Sequence, residues 1–124
     1  MIVGLGMDVV AVDRIRRLIA PAAGTRAERF LERCFTDGER AYCDARHDPA
    51  THYAARFAAK EAAMKALGAS RFTDFEVTRG GGAPRLRLHG AAARAQARVG
   101  GRLHLTLTHD AGVAAALVVV EAAP

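Results

Sequence analysis

Arg56-Phe57-Ala58-Ala59-Lys60-Glu61-Ala62-Ala63-Met64-Lys65-Ala66-Leu67-Gly68 reads as the helix around which the rest of the chain is organised. Strong helix formers run throughout it, Pro is absent, and Gly68 stands where a C-terminal cap belongs. Thr51, after the turn at Asp48-Pro49, is the expected N-cap. At about 100° per residue, Ala58, Ala59, Ala62, Ala63 and Ala66 share one half of the cylinder. Arg56, Phe57, Lys60, Glu61, Met64 and Lys65 share the other. The Ala half permits close approach of a neighbouring backbone. The charged half reads either as a reactive face or as an ordinary surface face with a Glu61–Lys65 pair. Lys60 and Lys65 are the only lysines, and all other positive charge is Arg. A chain that confines Lys to this helix is expected to need compact ammonium groups here, as a phosphate site does.

Outward from the helix, the chain predicts one α+β domain over residues 1–124, with an antiparallel sheet packed on the long helix. Residues 2–12 are a nearly continuous apolar run, expected to be a strand buried on both faces. Gly4 and Gly6 share one face and predict close backbone approach. Asp8 interrupts the run. A lone carboxylate there is costly unless it is paired, for instance with an Arg, or holds a metal. Asp13 is the expected N-cap of a short basic helix carrying Arg14, Arg16 and Arg17, which is either a solvated face or a docking surface for an acidic helix.

Thr25 to Arg33 predicts a second helix. Thr36 and Glu39 form a capping box that starts a third helix, expected to be purely structural, and Phe35 is placed for a hydrophobic staple. Residues 74–78 and 85–89 alternate around the turn Gly80–Pro84 as a hairpin. Gly90 to Val99 predicts a helix, Leu103 to Thr108 a strand with one buried face, and Ala114 to Val120 a final strand. His109-Asp110-Ala111-Gly112 turns the chain between them. His109 there is either a phosphate or proton-transfer group, or a turn histidine beside a capping Asp110.

A net charge of +5 favours an acidic partner: nucleic acid, an acidic protein or a phosphate ligand. No Lys/Arg run occurs and aromatics are only 6%, which argues against a nucleic-acid reader. Cys34 and Cys43 fit neither a zinc pattern nor a disulfide framework, so reduced thiols and a cytoplasmic location are expected. The N-terminal run, interrupted by Asp8 and Asp13 without a preceding basic stretch, is not expected to be a signal peptide, and no segment is expected to span a membrane.

Asp8 and Glu61 are the two carboxylates that stand out. One or two carboxylates completed by substrate phosphates is how Mg²⁺ is usually held. Arg56, Lys60 and Lys65 lie within two helical turns of Glu61 to meet the remaining phosphate charge. The residues alone therefore predict a Mg²⁺ site for a di- or polyphosphate compound. No Walker A loop or dinucleotide glycine fingerprint is present, and no Ser or Cys nucleophile context, so the nucleophile is expected from a substrate.

Gly6-Met7-Asp8-Val9-Val10, followed by Asp13-Arg14-Ile15, resembles the N-terminal signature of the holo-acyl-carrier-protein synthases, the small bacterial type of 4′-phosphopantetheinyl transferase. Arg56 to Ala62 with Lys65 to Gly68 resembles their second signature. Phe35-Thr36 with Glu39, the turn Gly82-Ala83-Pro84, Thr106 to Asp110 and the ending Val118 to Glu121 follow the family's order. The resemblance implies the fold of that family. It also implies transfer of the phosphopantetheine arm of coenzyme A to a serine of an acyl carrier protein, with release of 3′,5′-ADP.

By that likeness Mg²⁺ would be held by Asp8 and Glu61, and Lys65 would stabilise the phosphate under attack with Lys60 nearby. Arg56, Gly68, His109 and the Gly82–Pro84 turn, Pro84 included, would meet coenzyme A. Arg14 and Arg17 would face the carrier protein, and homotrimers with sites between subunits would be expected. For the base, water on the metal, Glu61 and the His109–Asp110 pair all remain open. Ala83 stands where the family turn usually carries Lys, and Arg85 is the nearest substitute in sequence. The competing readings are a non-catalytic basic module that binds acidic helices, and a nucleic-acid-binding protein. Neither accounts for Asp8 in an apolar strand.

Overall fold

A computed structural model describes residues 1–124. Five strands are formed: β1 (Ile2–Ala11), β2 (Phe75–Thr78), β3 (Arg85–Leu88), β4 (Gly101–Asp110) and β5 (Val113–Ala122). Five helices accompany them: α1 (Val12–Ile19), α2 (Thr25–Cys34), α3 (Asp37–Asp44), α4 (Pro49–Leu67) and α5 (Gly90–Val99). The long strands form an antiparallel sheet in the order β1-β5-β4, and β2 pairs with β3 in a separate antiparallel hairpin. This is the expected α+β architecture, with α4 laid along one face of the three-stranded sheet.

The contact between α4 and β1 explains two sequence features together. A Cβ added at Gly6 would collide with the carbonyl oxygen of Ala62, and one at Gly4 with that of Ala66. Ala58, Ala59, Ala62 and Ala63 are all fully buried on the facing side of the helix. Small residues on both elements bring the two backbones together. Gly6→Ala is therefore expected to destabilise the protein by about 1–3 kcal/mol, because the obstacle is rigid backbone. A urea unfolding series checks this, and a midpoint equal to wild type would contradict the packing.

Several local expectations are corrected. Pro49 opens α4 after Asp48, and Thr51 lies inside the first turn, its hydroxyl donating to Asp48 Oδ2 at 2.8 Å. Asp13 likewise lies within the first turn of α1. Ala11 is the N-cap there, and the Val12 N–H donates to the Gly112 carbonyl at 2.9 Å. The capping box forms as expected, with Thr36 N donating to Glu39 Oε1 and Glu39 N to Thr36 Oγ1. Phe35 makes no staple, because the position it would meet is Arg40. It packs instead on Phe30 and Tyr53. Gly68 caps α4 at φ 84°, its N–H donating to the Met64 carbonyl at 2.8 Å.

The larger correction concerns β1. Only one of its faces is covered. Gly6 and Val10 are buried against α4, whereas Leu5 is 63% and Met7 59% exposed. Register places Leu5 opposite Val119 and Met7 opposite Leu117, so the outward face of the sheet is apolar across two strands. Within one chain nothing lies over it. The charged half of α4 is corrected in the opposite sense: Arg56, Phe57 and Lys60 are buried, Arg56 against Tyr42, Phe57 against Phe30 and Phe72, and Lys60 against Glu39 and the Phe75 carbonyl, leaving Glu61, Met64 and Lys65 toward solvent.

Candidate active site

Asp8 lies on the inward face of β1, near the end of α4 that carries Glu61 and Lys65. The ammonium of Lys65 donates to Asp8 Oδ1 at 3.2 Å and to the Met7 carbonyl at 2.9 Å. The partner of Asp8 is thus a lysine from the central helix rather than an arginine. The Glu61 carboxyl is raised above its ordinary value, first by burial and then by the negative charge of Asp8. Lys65 and Arg14 oppose that rise. Two carboxylates therefore interact electrostatically, one of them paired with the Lys65 ammonium. No group of three or more His, Cys, Asp or Glu able to hold a metal exists in the chain.

Arg14 belongs to this constellation as well. Its guanidinium stands 6.0 Å from the centroid of Phe57 and adds positive potential at Glu61. Arg17 is exposed on the same helix, whereas Arg16 is committed to Asp48 through two bonds of 2.8 and 3.2 Å.

Lys60, adjacent to Glu61 in sequence, points the other way, and its expected phosphate contact is corrected. Its ammonium is fully buried and donates to the carbonyls of Phe75 and Phe72 at 2.6 and 3.1 Å. Glu39 Oε1 lies 2.6 Å from the same nitrogen, so all three donors are satisfied. Burial pulls the ammonium below its usual pKa, and Glu39 resists. The second oxygen of Glu39 accepts the Val77 N–H at 2.8 Å, which ties the hairpin to α3. Glu39 is thus the buried anchor of α3.

His109 ends β4, and β4 and β1 are opposite edges of the sheet with β5 between them. One chain therefore does not bring His109 to the Asp8–Glu61–Lys65 group. Asp110 accepts the N–H of Ala111 at 2.9 Å, in a turn where Ala111 and Gly112 both have positive φ. It caps that turn and makes no bond to His109.

Arg56 enters a second group, which sequence reading did not assemble. Its guanidinium lies 4.1 Å from the centroid of Tyr42, and that of Arg46 lies 4.0 Å from the same ring. His52 packs edge-on against Tyr42 with centroids 5.9 Å apart. Burial raises the Tyr42 phenol, but hydrogen bonding to Arg79 and the charges of Arg46 and Arg56 outweigh it and hold it below the ordinary value. His52 is lowered by burial and by Arg56, Arg46 and His109. Arg79 directly follows β2 and leads into the β2–β3 turn that carries Gly82, Ala83 and Pro84. The available signals were local: Tyr42 with Arg46, and His52 with Arg56, each one helical turn apart.

Two carboxylates with a paired ammonium at one end of α4, and a carboxylate-free arginine group upstream on the same helix, define a protein built for a phosphate-rich substrate. Residues 4–117 match the family model of the 4′-phosphopantetheinyl transferase superfamily. The chain is 64% identical over 126 residues to the holo-[acyl-carrier-protein] synthase of Anaeromyxobacter sp. (strain K), covering 98% of this chain and 97% of that protein. Among solved structures it resembles the holo-(acyl-carrier-protein) synthase from Bacillus anthracis str. Ames in complex with CoA (3′,5′-ADP). That likeness has TM-score 0.78 and 30% identity, covering 99% of each chain. It also resembles the holo-[acyl-carrier-protein] synthase of Neisseria meningitidis, with TM-score 0.84, 29% identity, and 98% and 99% of the two chains covered. The chain belongs to the 4′-phosphopantetheinyl transferase superfamily.

Proposed function

We propose that this chain transfers the 4′-phosphopantetheine arm of coenzyme A to a serine of an acyl carrier protein and releases 3′,5′-ADP. The observation that carries the reading is the Asp8–Glu61–Lys65 group, in a chain whose relatives are holo-[acyl-carrier-protein] synthases and whose structural neighbours include one in complex with CoA. The serine oxygen bonds to the β-phosphorus as the bond from that phosphorus to the bridging oxygen breaks, and the leaving group carries the α- and 3′-phosphates.

Mg²⁺ fits this site. Burial and the charge of Asp8 raise the Glu61 carboxyl, so the two acids lie within electrostatic reach of one another, and two protein carboxylates leave positions for phosphate oxygens. Asp8 and Glu61 would hold the ion, which when bound neutralises charge on the pyrophosphate and leaving group. Lys65 uses two of its three N–H groups on Asp8 and Met7 and keeps the third for a phosphate oxygen. Glu61 accepts the serine proton, directly or through adjacent water. Arg56, the Gly82–Pro84 turn and His109 meet the nucleotide portion, and Gly68 ends the helix beside the site. Arg14 and Arg17 lie on the exposed side of α1, placed to meet an acidic carrier helix.

The uncovered apolar face of Leu5, Met7, Leu117 and Val119 supports association of several copies, which by family likeness is a homotrimer. Sites between subunits let His109 of one copy complete the group of another, which a single chain does not do. No helix is long and apolar enough to cross a membrane, and both cysteines are free and buried, which supports a cytoplasmic enzyme. Incubating the chain with coenzyme A, Mg²⁺ and an apo-acyl carrier protein is expected to raise the carrier's mass by one phosphopantetheine group. No mass change across several carriers would overturn the function.

A further inference from the structure

Glu76 is a half-buried carboxylate with no part in the transfer step, yet it joins three elements. From β2 its Oε2 accepts the Thr36 hydroxyl at 2.7 Å, and its Oε1 lies 3.0 Å from Nε2 of His89, the N-cap residue of α5. Thr36 is the N-cap of α3, and its hydroxyl also accepts the Glu39 N–H. Glu39 reaches the other way, from α3 to the Val77 N–H of the hairpin. Two carboxylates thus cross between α3 and the hairpin in opposite directions, and both engage Thr36. Burial works to raise Glu76, but the bonds from His89 and Thr36 and the charges of His89 and Arg87 outweigh it and hold the carboxyl below its ordinary value. Gly38, in the first turn of α3, has no positive φ that would call for glycine. A Cβ there would stand 3.0 Å from Glu76 Oε2, so the missing side chain leaves room for the carboxylate.

The hairpin needs such a fastening. Its strands are four residues each, and a two-stranded hairpin is marginal by itself. A Cβ added at Gly80, Gly81 or Gly82 would meet nothing within 4 Å, so the glycines of the turn are unsupported and the base alone aims it. At about 3.3 Å per residue the turn begins roughly 13 Å beyond Glu76, so a tilt of about 10° at the base moves it by about 2 Å. We propose that Glu76 is a positioning residue that clasps the hairpin to Thr36 and His89 and thereby aims the Gly80–Pro84 turn at coenzyme A. This rests on the transferase reading, which sets that turn against the nucleotide, and deepens it.

The test compares the full chain with Glu76→Ala, Glu76→Gln and Gly38→Ala. Amide exchange over residues 75–88 is expected to become about 10-fold faster in Glu76→Ala, with β5 unchanged. Affinity for coenzyme A, read by titration, is expected to fall about 10-fold while kcat stays within about twofold of wild type. Glu76→Gln, which can still accept from Thr36, is expected to recover most of the affinity. Gly38→Ala is expected to weaken affinity in the wild type and to have no further effect beside Glu76→Ala, because both disturb one contact. Unchanged exchange in Glu76→Ala, unchanged affinity, loss of kcat in step with affinity, or additive effects of Gly38→Ala and Glu76→Ala would overturn the clasp. Exchange and titration need no transfer activity, so failure of the carrier mass shift would count against the transferase reading alone.

Discussion

Replacing Glu61 with Gln is expected to lower arm transfer about 10³-fold, roughly 4 kcal/mol of transition-state stabilisation, and at the same time to raise the melting temperature at neutral pH. Both effects have one origin. In the metal-free protein the Glu61 carboxylate is burdened by burial and by the negative charge of Asp8. Its folded-state pKa lies above the ordinary 4.5, so the folded state binds the proton more tightly than the unfolded chain. The stability this contributes is present below the unfolded value and is lost as pH rises through the folded one. Gln cannot ionise and escapes that loss. The thermal advantage of Glu61→Gln is therefore expected near pH 7 and should vanish toward pH 4. Asp8→Ala is expected to lose transfer similarly and to relieve Glu61, while leaving Lys65 without its carboxylate. Transfer rates with a Mg²⁺ titration, together with melting curves at the two pH values, check both variants. Near-normal rates at low Mg²⁺ in both would end the metal assignment.

Lys60→Met is expected to unfold the protein far more readily, costing about 3–5 kcal/mol, because it strands a fully buried Glu39 carboxylate. A chain of this size would lose roughly 10–20 °C in melting temperature. Lys60→Met with Glu39→Gln is expected to be more stable than Lys60→Met alone, since the uncompensated charge is then gone. Urea unfolding of the two single variants and the double variant reads the coupling directly. A lysine that only touched phosphate would behave differently: its loss would raise KM for coenzyme A and leave the unfolding midpoint in place.

Lys60 and Lys65 show how far residue type carries. Both are lysines on one helix beside Glu61, and nothing local distinguishes them. The direction of each side chain depends on what the rest of the fold sets against it. Glu39, anchored by its capping box, and the carbonyls of Phe72 and Phe75 claim Lys60. Lys65, one turn further on, meets Asp8 where α4 passes the sheet edge. Tyr42 and Arg56 illustrate the same limit. Their contact joins α3 to α4, and no spacing records it.

Strong local patterns, by contrast, survived folding almost unchanged. The Gly4/Gly6 face met the Ala face of α4, the Thr36–Glu39 box closed, and alternation predicted the β2–β3 hairpin and β4. Asp8 and Glu61 could be paired before any coordinates because a carboxylate in an apolar strand needs a reason, and phosphate chemistry supplies one. These features are legible because backbone geometry, capping and burial energies act over a few residues. Tertiary structure alone decided which faces stayed open and which charges were enclosed. It left the outer face of β1 bare, placed His109 on the far edge from Asp8, and turned Lys60 inward, because burial is a property of the whole packed chain and not of any stretch within it.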